Sequence, residues 1–403
     1  MKTLLLKDDL TPAVEILKNG GLVGVPTETL YGMAANGLDA AAVEKVYEVK
    51  GRPPVKPLSL MVADASGMAA LCEDIPEAAY TLAEKFWPGP LTIVLKARDV
   101  IPDIVLAGGT TLGLRCPDHP AALELVRRSG LPLTAPSANP SGLPGVKTAA
   151  EVMAYFDGKI EAVVDGGECG VGEASTLVDL TKLPYRILRA GALGEEEVFA
   201  PLVRVFGITG GTGCGKTTAL CAFANEETLI LDCDEIYHRL CETSAEMLSE
   251  IEARFPGTVE QGTLQRKKLG GIVFADEKAL LDLNAITHRY VESEGARCIT
   301  EHAKRGGKYA VIDAIALVES GLHRRCECVI GVLAPEADRV RRIMARDGIS
   351  EEYARKRVRA QQPERFYREN CHHILENRGD MAAFEKAAAS LYETIIIGGK
   401  ANV

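Results

Sequence analysis

The sequence has 403 residues, of which 47% are hydrophobic and 25% are charged, and this composition excludes a disordered chain. At about 100–200 residues per domain, the length predicts two or three domains. The net charge of −10 comes mostly from residues 1–202, which hold 18 lysines and arginines against 26 aspartates and glutamates, and it argues against strong direct binding of nucleic acid.

The start of the chain and its cysteines both predict a cytoplasmic protein. The apolar run at residues 4–6 is too short for a secretory signal, and no run approaches the roughly 18 apolar residues of a membrane-spanning helix. The 11 cysteines are scattered and form no C-x-x-C pair, so we expect them to stay reduced. We also expect no membrane partner.

The first half mixes helix and strand patterns. Helices are predicted at residues 11–19 and 40–50, and Gly51 closes the second of them. Strands are predicted at residues 22–26, 91–96, 162–164 and 186–188. The first half is therefore predicted to be an α/β domain.

A domain boundary is predicted near residue 200. An acidic run at residues 195–197 and Pro201 precede a new pattern, which opens at Val203 with a strand, a glycine-rich turn and a helix. Strands near residues 204–208, 228–231, 309–313 and 328–333 then alternate with helical patterns, which predicts a parallel sheet covered on both faces. We therefore predict domains at residues 1–202 and 203–403.

Residues 210–217 fit the pattern G-x-x-x-x-G-K-[ST] in full and lie on the predicted strand-to-helix turn. In such a turn, backbone N–H groups surround phosphate oxygens, Lys216 reaches the β- and γ-phosphates, and the Thr217 hydroxyl can hold Mg²⁺. This phosphate loop predicts an ATP site. Its predicted binding residues are Gly211, Thr212, Gly213, Cys214, Gly215, Lys216, Thr217 and Thr218.

Acidic and basic residues downstream extend this prediction. Asp232 and Asp234 follow the next predicted strand, where a carboxylate can orient an attacking hydroxyl, although one of the two can serve only as a helix cap. A run rich in arginine between Arg339 and Arg368 is interpreted as a solvated helical hairpin, two or three of whose arginines close on the transferring phosphate.

The order of these segments resembles the dephospho-CoA kinase family. The similarity runs from about residue 204 to 395 and includes the phosphate loop, residues 232–238, and segments at 269–274, 283–288, 311–314, 346–348 and 361–362. The resemblance implies a P-loop kinase domain with a parallel sheet flanked by helices. It further implies that Asp234 is the catalytic base for the ribose 3′-hydroxyl of dephospho-CoA, and that Arg342 and Arg346 bind ATP from a lid.

Three short polar segments stand out in the first half, at residues 26–32, 50–56 and 137–142. Lys50 and Arg52 lie two residues apart on a stiff turn, and Lys56 follows. Together the segments supply cations for phosphate and small polar groups for a nucleobase or ribose. They predict a nucleotide site of a different kind.

The order of these segments resembles the YrdC-type threonylcarbamoyl-AMP synthase family. The similarity covers nearly all of residues 1–200 and adds segments at 86–92, 115–117, 175–179 and 187–191. Glu28 stands where an aspartate is common in that family. The resemblance implies a mixed-sheet α/β domain that forms threonylcarbamoyl-AMP and pyrophosphate from L-threonine, bicarbonate and ATP. Its product would pass to tRNA-modification proteins.

The resemblance also implies roles for individual residues of this half. Lys50 and Arg52 would neutralise the departing pyrophosphate together with Mg²⁺, so that positioning and electrostatics carry the rate. Thr27 and Tyr31 would line the threonine pocket, with Lys56 also a substrate contact. The nucleotide would be bound by Ser137, Asn139, Ser175 and Arg189.

Other functions remain open for both halves. The first half is alternatively an RNA-binding module that uses the turn at residues 50–56, or a carbamoyl transferase that uses carbamoyl phosphate. The second half is alternatively a kinase for another small hydroxyl substrate, such as a nucleoside monophosphate or a sugar acid.

Overall fold

In the computed structural model, which describes residues 2–398, the chain divides into two units, Met1–Leu202 and Val203–Val403. Each unit has its own sheets and its own buried apolar side chains. We describe the two units separately.

The N-terminal unit mixes short strands with short helices. Its strands are β1 (Leu4–Leu6), β2 (Val23–Val25), β3 (Gly32–Ala34), β4 (Ser59–Met61), β5 (Cys72–Glu73), β6 (Leu91–Ala97), β7 (Thr111–Arg115), β8 (Leu133–Thr134), β9 (Ala162–Val164), β10 (Thr176–Asp179) and β11 (Arg186–Arg189). Its helices are α1 (Thr11–Lys18), α2 (Ala40–Lys50), α3 (Ser66–Leu71), α4 (Glu77–Phe86), α5 (Asp103–Leu106), α6 (Pro120–Ser129), α7 (Ala149–Phe156) and α8 (Glu195–Phe199).

Two mixed sheets organise this unit. One has the strand order β1-β9-β2-β3, and the other has the order β11-β10-β6-β7-β4-β8 with β5 added beside β6. Parallel pairs such as β6–β10 and antiparallel pairs such as β6–β7 occur in the same sheet. The mixed-sheet α/β prediction for the first half is therefore confirmed.

Helix α2 shows how local sequence fixes the position of a functional segment. The Asp39 side chain accepts hydrogen bonds from the N–H groups of Ala41 and Ala42, which caps the helix start. Gly51 ends the helix with φ 58°, a left-handed conformation that glycine adopts without strain. The chain thus leaves the helix at Gly51, and Lys50 and Arg52 lie on either side of this turn.

The C-terminal unit alternates strand and helix. Its strands are β12 (Arg204–Thr209), β13 (Thr228–Asp232), β14 (Val259–Glu260), β15 (Thr263–Leu264), β16 (Tyr309–Asp313), β17 (Cys328–Leu333) and β18 (His373–Glu376). Its helices are α9 (Lys216–Cys221), α10 (Cys233–Thr243), α11 (Ala245–Arg254), α12 (Arg266–Val273), α13 (Glu277–Lys304), α14 (Glu336–Asp347), α15 (Glu351–Arg359), α16 (Glu364–Asn370) and α17 (Met381–Gly398).

The central sheet of this unit is parallel, as the sequence predicted. Its strand order is β13-β16-β12-β17-β18, and each neighbouring pair runs in the same direction. On one face, Phe206 and Ile208 pack with Ala219 of α9 and Phe384 of α17. Side chains of α10 and α13 cover the other face. Burial of each large side chain contributes about 1.5–3 kcal/mol, so both faces stabilise the sheet.

Most of the arginine-rich run lies in a helical hairpin, α14 and α15, and its last two arginines, Arg365 and Arg368, lie in α16. Val340 and Ile343 of α14 are buried against Ala354 and Val358 of α15. The hairpin predicted from the alternating charges is therefore present. Across residues 2–398, the helices lack the combination of length and apolar character that crossing a membrane requires.

Candidate functional sites

The N-terminal unit contains a cavity of about 640 Å³ that most of the predicted residues line. Those residues are Thr27, Tyr31, Arg52, Lys56, Ser137, Ser175 and Arg189. They come from segments more than 160 residues apart in the chain, and the two mixed sheets bring them together. The volume falls within the range of pockets that enclose a small ligand, about 300–1,000 Å³.

Three arginines converge on this cavity: Arg52, Arg115 and Arg189. Burial lowers the pKa of Arg189, and the positive charges of Arg115 and Arg52 lower it further. Burial also lowers the pKa of Arg52. Since like charges in a partly buried cavity repel each other, the arrangement favours an anion that neutralises them.

Arg115 is fixed more firmly than the other two arginines. Its Nη2 lies 2.7 Å from Glu28 Oε1, and both side chains are nearly buried, with 10% and 13% exposed. Its Nε donates to the carbonyl of Gly89 at 3.2 Å. The sequence assigned Arg115 no role, although the arginine and Glu28 both lie in segments that carried the resemblance. The ion pair shows why the carboxylate at position 28 matters.

Ser175 connects Arg189 to Thr92 through hydrogen bonds. Arg189 Nη2 donates to the Ser175 carbonyl at 2.8 Å and to its hydroxyl at 3.0 Å, and the hydroxyls of Ser175 and Thr92 lie 2.8 Å apart. Thr92 lines the same cavity and was missed from the sequence, because a threonine inside a buried strand carries no distinctive signal.

Thr27 and Tyr31 also line the cavity, but their polar atoms are engaged within the protein. The Thr27 hydroxyl donates to the Leu30 carbonyl at 2.6 Å. The Tyr31 hydroxyl donates to the Gly167 carbonyl at 2.8 Å and accepts from the Gly166 N–H at 3.2 Å. These bonds hold the turn at residues 27–31 against the loop at residues 166–167.

Lys50 and Asn139 are not among the residues that line the cavity. The Lys50 side chain is 3% exposed, and its ammonium donates to the carbonyls of both Ser137 and Asn139. In return, Ser141 N–H donates to the Lys50 carbonyl at 2.8 Å. Burial, with a further effect of the Arg52 charge, lowers the pKa of Lys50 to about 8. Lys50 therefore joins two of the predicted segments, while its catalytic role stays a prediction.

In the C-terminal unit, the phosphate loop connects β12 to α9, as predicted. Gly210 and Gly215 have φ values of 146° and 107°, which side-chain-bearing residues rarely adopt. A Cβ on Gly210 would lie 3.0 Å from Cys214 Sγ, and one on Gly215 would overlap the Asn377 amide. The glycines are therefore needed for the curvature of the loop.

Lys216 faces a carboxylate that the sequence assigned no role. Its Nζ lies 3.6 Å from Asp313 Oδ1, and each side chain is 14% exposed. Burial raises the pKa of Asp313 to about 6; Lys216 opposes this shift, and the charges of Asp232 and Asp234 add to it. Asp313 ends β16, which pairs with both β12 and β13, so this carboxylate reaches the edge where the phosphate loop begins.

The two aspartates after β13 have different roles. Asp232 caps α10, because its Oδ1 accepts from the N–H groups of Asp234 at 2.9 Å and Glu235 at 3.0 Å. The Asp234 side chain is exposed in the first turn of α10 and accepts none of these capping bonds. Of the pair, Asp234 is the carboxylate that is available to a substrate hydroxyl.

Two hairpin arginines hold the phosphate loop by its carbonyl groups. Arg342 Nη1 donates to the Gly213 carbonyl at 3.1 Å, and its Nη2 donates to Asn377 Oδ1 at 2.9 Å. Arg339, which the sequence did not single out for binding, donates to the Thr212 carbonyl at 3.0 Å. Arg346 is 61% exposed and pairs with Asp347 at 2.7 Å, and its role in binding ATP stays a prediction.

A divalent cation fits the oxygen atoms at the edge of the phosphate loop. Asp313 Oδ1 is buried without a hydrogen-bond partner, and Thr217 supplies a hydroxyl in the first turn of α9. Carboxylate and hydroxyl oxygens are ligands that Mg²⁺ accepts. Within the described part of the chain, no cluster of three or more His, Cys, Asp or Glu residues could hold a metal, so nucleotide oxygens would have to complete such a site.

Comparison with protein families divides the chain in the same place. A family model described as "Telomere recombination" matches residues 15–191, and a model described as "Dephospho-CoA kinase" matches residues 204–383.

Individual relatives agree with the family models. A threonylcarbamoyl-AMP synthase of Pyrococcus abyssi is 45% identical over 186 residues, which are 46% of this chain and 55% of that protein. A Methanocaldococcus jannaschii protein named for the same synthase is 39% identical over 179 residues, 44% of this chain and 83% of that protein. A dephospho-CoA kinase of Corynebacterium glutamicum is 32% identical over 192 residues, 47% of this chain and 96% of that protein. The chain spans about half the length of the first of these relatives.

Proposed function

Because the N-terminal half of the chain belongs to the threonylcarbamoyl-AMP synthase family and the C-terminal half to the dephospho-CoA kinase family, we propose that the protein is a bifunctional ATP-using enzyme. One activity forms threonylcarbamoyl-AMP from L-threonine, bicarbonate and ATP. The other phosphorylates the 3′-hydroxyl of dephospho-CoA to give CoA. The domain limits for the two activities are residues 1–202 and 203–403.

The proposed kinase reaction takes place at the edge of the parallel sheet where the phosphate loop begins. The phosphate loop surrounds the β- and γ-phosphates with backbone N–H groups, and Lys216 places its ammonium on the same oxygens. Asp234 accepts the proton of the ribose 3′-hydroxyl as that oxygen attacks the γ-phosphorus, and ADP leaves. Asp313 holds Lys216 at 3.6 Å and so orients it toward the phosphates. Arg342 keeps the loop curved from its outer side.

Mg²⁺ would be held by the Thr217 hydroxyl and the Asp313 carboxylate together with the nucleotide. It would neutralise part of the negative charge that the phosphates carry. Asp313 Oδ1 supports this proposal, because it is buried without a hydrogen-bond partner and its cationic neighbour, Lys216 Nζ, lies 3.6 Å away. A cluster of three protein ligands is not needed, because kinases usually bind this ion through few carboxylates and substrate phosphates.

The synthase reaction would take place in the cavity of the N-terminal unit. N-carboxythreonine, formed from threonine and bicarbonate with loss of water, attacks the α-phosphorus of ATP through an oxygen of its N-carboxyl (carbamate) group, and pyrophosphate leaves. Arg52, Arg189 and Lys56 line the cavity and would neutralise the leaving group. Thr27 and Tyr31 would bound the threonine side of the pocket. No covalent enzyme intermediate is required, so binding geometry carries the rate.

The single observation that carries the proposal for this half is the convergence of Arg52, Lys56 and Arg189 on one cavity, beside Arg115, which is paired with Glu28. Such a cluster suits a triphosphate and a carboxylated amino acid far better than a neutral ligand. Its enclosure by the cavity walls suits a compact ligand rather than the extended backbone of an RNA strand. The product threonylcarbamoyl-AMP would leave for tRNA-modification proteins.

The decisive experiment incubates the purified chain with ATP, Mg²⁺, L-threonine, bicarbonate and dephospho-CoA, and follows the products by mass spectrometry. We expect threonylcarbamoyl-AMP, pyrophosphate, CoA and ADP. Omission of threonine should remove only the first two, and omission of dephospho-CoA only the last two. If CoA forms without any threonine-dependent pyrophosphate, the synthase half of the proposal is wrong. If other small hydroxyl compounds replace dephospho-CoA with equal efficiency, the kinase half is wrong.

A further inference from the structure

The side chain of Gln361 is joined to the phosphate loop by a pair of hydrogen bonds. The Thr212 N–H donates to Gln361 Oε1 at 2.9 Å, and Gln361 Nε2 donates to the Thr212 hydroxyl at 2.7 Å. Arg339 Nη2 donates to the same Oε1. A single carboxamide oxygen therefore accepts from one loop amide and from one guanidinium.

The loop is shaped to admit this contact. A Cβ built on Gly211 would overlap the Arg339 guanidinium and would lie 2.7 Å from Gln361 Oε1. Any larger residue at position 211 would push both side chains away from Thr212. The glycine therefore serves the approach of Gln361 and Arg339, in addition to the curvature of the loop.

The donors that Gln361 occupies are those that phosphate oxygens use. A backbone N–H of a glycine-rich loop together with an arginine N–H is a typical environment for a phosphate oxygen. We propose that Gln361 is a positioning residue that stands in for a phosphate oxygen in the nucleotide-free protein. It releases the Thr212 N–H when ATP binds. This inference rests on the proposed ATP site of the kinase unit.

The release would be coupled to the arginine hairpin. Gln361 lies two residues after the end of α15, and α15 packs on α14, which carries Arg339. The other side of the loop is held independently, because Arg342 and Asn377 contact the carbonyls of Gly213 and Cys214 rather than an amide. Those carbonyl contacts do not compete with phosphate. Exchange of Gln361 for phosphate therefore alters the contact with the Thr212 amide and leaves the carbonyl contacts of Arg339 and Arg342 in place.

The sign of a change in ATP affinity tests this proposal. In the full chain with Gln361→Ala, the Kd for ATP is measured by calorimetry with Mg²⁺ and without dephospho-CoA, and Lys216→Ala identifies the ATP that binds to the N-terminal unit. Loss of a competing acceptor should tighten ATP binding about three- to tenfold, the worth of one or two exchanged hydrogen bonds. AMP, which lacks the outer phosphates, should bind unchanged. A simple structural brace predicts the opposite sign, so unchanged or weaker ATP binding overturns the proposal.

Two further variants guard against a folding artefact. Gln361→Glu keeps the size of the side chain and adds a negative charge beside the phosphates, so ATP should bind at least tenfold more weakly. Gln362→Ala removes the glutamine one position later. Among the residues that the structure describes, the Gln362 side chain makes no hydrogen bond to the phosphate loop. Its ATP affinity should stay unchanged, and tightening equal to that of Gln361→Ala contradicts the proposal.

Failure of this inference can be told apart from failure of the proposed kinase function. ATP binding is measured without an acceptor. If the unsubstituted chain binds ATP but does not phosphorylate dephospho-CoA, the proposed substrate is wrong and the test of Gln361 stands. If the unsubstituted chain binds no ATP at its kinase unit, both are overturned.

Discussion

The candidate phosphate site of the C-terminal unit is formed mainly by backbone groups, whereas that of the N-terminal unit is formed by side chains. In the C-terminal unit, one continuous stretch at residues 210–217 supplies a curved backbone, and Lys216 adds one cation. In the N-terminal unit, Arg52, Arg115 and Arg189 come from three separate segments and meet in a cavity. A backbone cradle depends on glycines and a helix start, whereas a side-chain site depends on the whole fold of the unit.

The electrostatic balance of the two sites differs as well. Lys216 already has Asp313 as a neighbour, so the kinase site holds both signs of charge before any ligand binds. In the N-terminal cavity Arg115 is likewise paired with Glu28, but burial and the charges of Arg115 and Arg52 lower the pKa of Arg189. A bound anion therefore relieves the repulsion between cations in the N-terminal cavity. At the phosphate loop, a bound anion instead competes with Asp313 as the partner of Lys216. Loss of a single charge should accordingly have different consequences in the two units.

The largest effect is expected for Asp234→Asn. Loss of the base should slow phosphorylation of dephospho-CoA about 10²- to 10⁴-fold. ATP affinity should change little, because Asp234 lies in the first turn of α10 and outside the phosphate loop. Single-turnover rates and ATP binding are measured on the same preparation. Unchanged turnover would remove Asp234 as the base, and Asp232→Ala, which removes the helix cap, serves as the comparison for lost stability.

A somewhat smaller effect is expected for Lys216→Ala. Loss of the cation on the β- and γ-phosphates should lower kcat/KM for CoA formation about 10²- to 10³-fold. Threonine-dependent pyrophosphate release by the same protein should continue at its original rate, and this second activity is the internal control. Equal loss of both activities would contradict two independent ATP sites.

Replacement of Arg52 and of Lys50 distinguishes a residue that lines the cavity from one that joins its loops. Arg52→Ala should weaken ATP use in the synthase reaction about 10- to 100-fold, as expected for one charge-assisted contact, with little loss of stability. Lys50→Ala should also lower this activity, and in addition should destabilise the protein, because two buried carbonyls lose their donor. Thermal unfolding and pyrophosphate release are measured for both. A Lys50→Ala protein with full stability and normal ATP titration would show that the assignment of this turn is wrong.

The smallest effect concerns pH. The pKa of Asp313 is raised from 3.8 to about 6, so this carboxyl is ionised at neutral pH and takes up a proton as the pH falls through about 6. We expect kcat/KM of the kinase reaction to decline below that pH, about tenfold per pH unit. In Asp313→Asn, whatever activity is left should lack this acid limb. An acid limb centred near pH 4 in the original protein would contradict the prediction.

The same pKa shift has an opposite effect on stability. Since the folded protein binds this proton more readily than the unfolded chain does, the Asp313 contribution to the free energy of unfolding falls as the pH rises from about 4 to about 6. Chemical denaturation of the original protein and of Asp313→Asn across this range measures the difference. Parallel stability curves for the two proteins would show that Asp313 is not perturbed.

Local patterns determined much of what could be predicted from the sequence. The strands of the parallel sheet, the helix α2 with its Gly51 end, and the phosphate loop all depend on residues close together in the chain. The roles of Asp232 and Asp234 could be predicted only in part. The sequence left open which of the two caps the helix, and the structure assigns the cap to Asp232.

Which distant side chains meet depends on the strand order and packing of each unit. Arg115 joins Arg52 and Arg189 because β7 and β11 belong to one sheet, and Asp313 reaches Lys216 because β16 pairs beside β12. Lys50 turned inward to two carbonyls although its neighbour Arg52 faces the cavity. Backbone geometry depends on residues that are close together in the chain, so the phosphate loop could be predicted from the sequence. Side-chain convergence is set by strand order and packing, which a single sequence does not display.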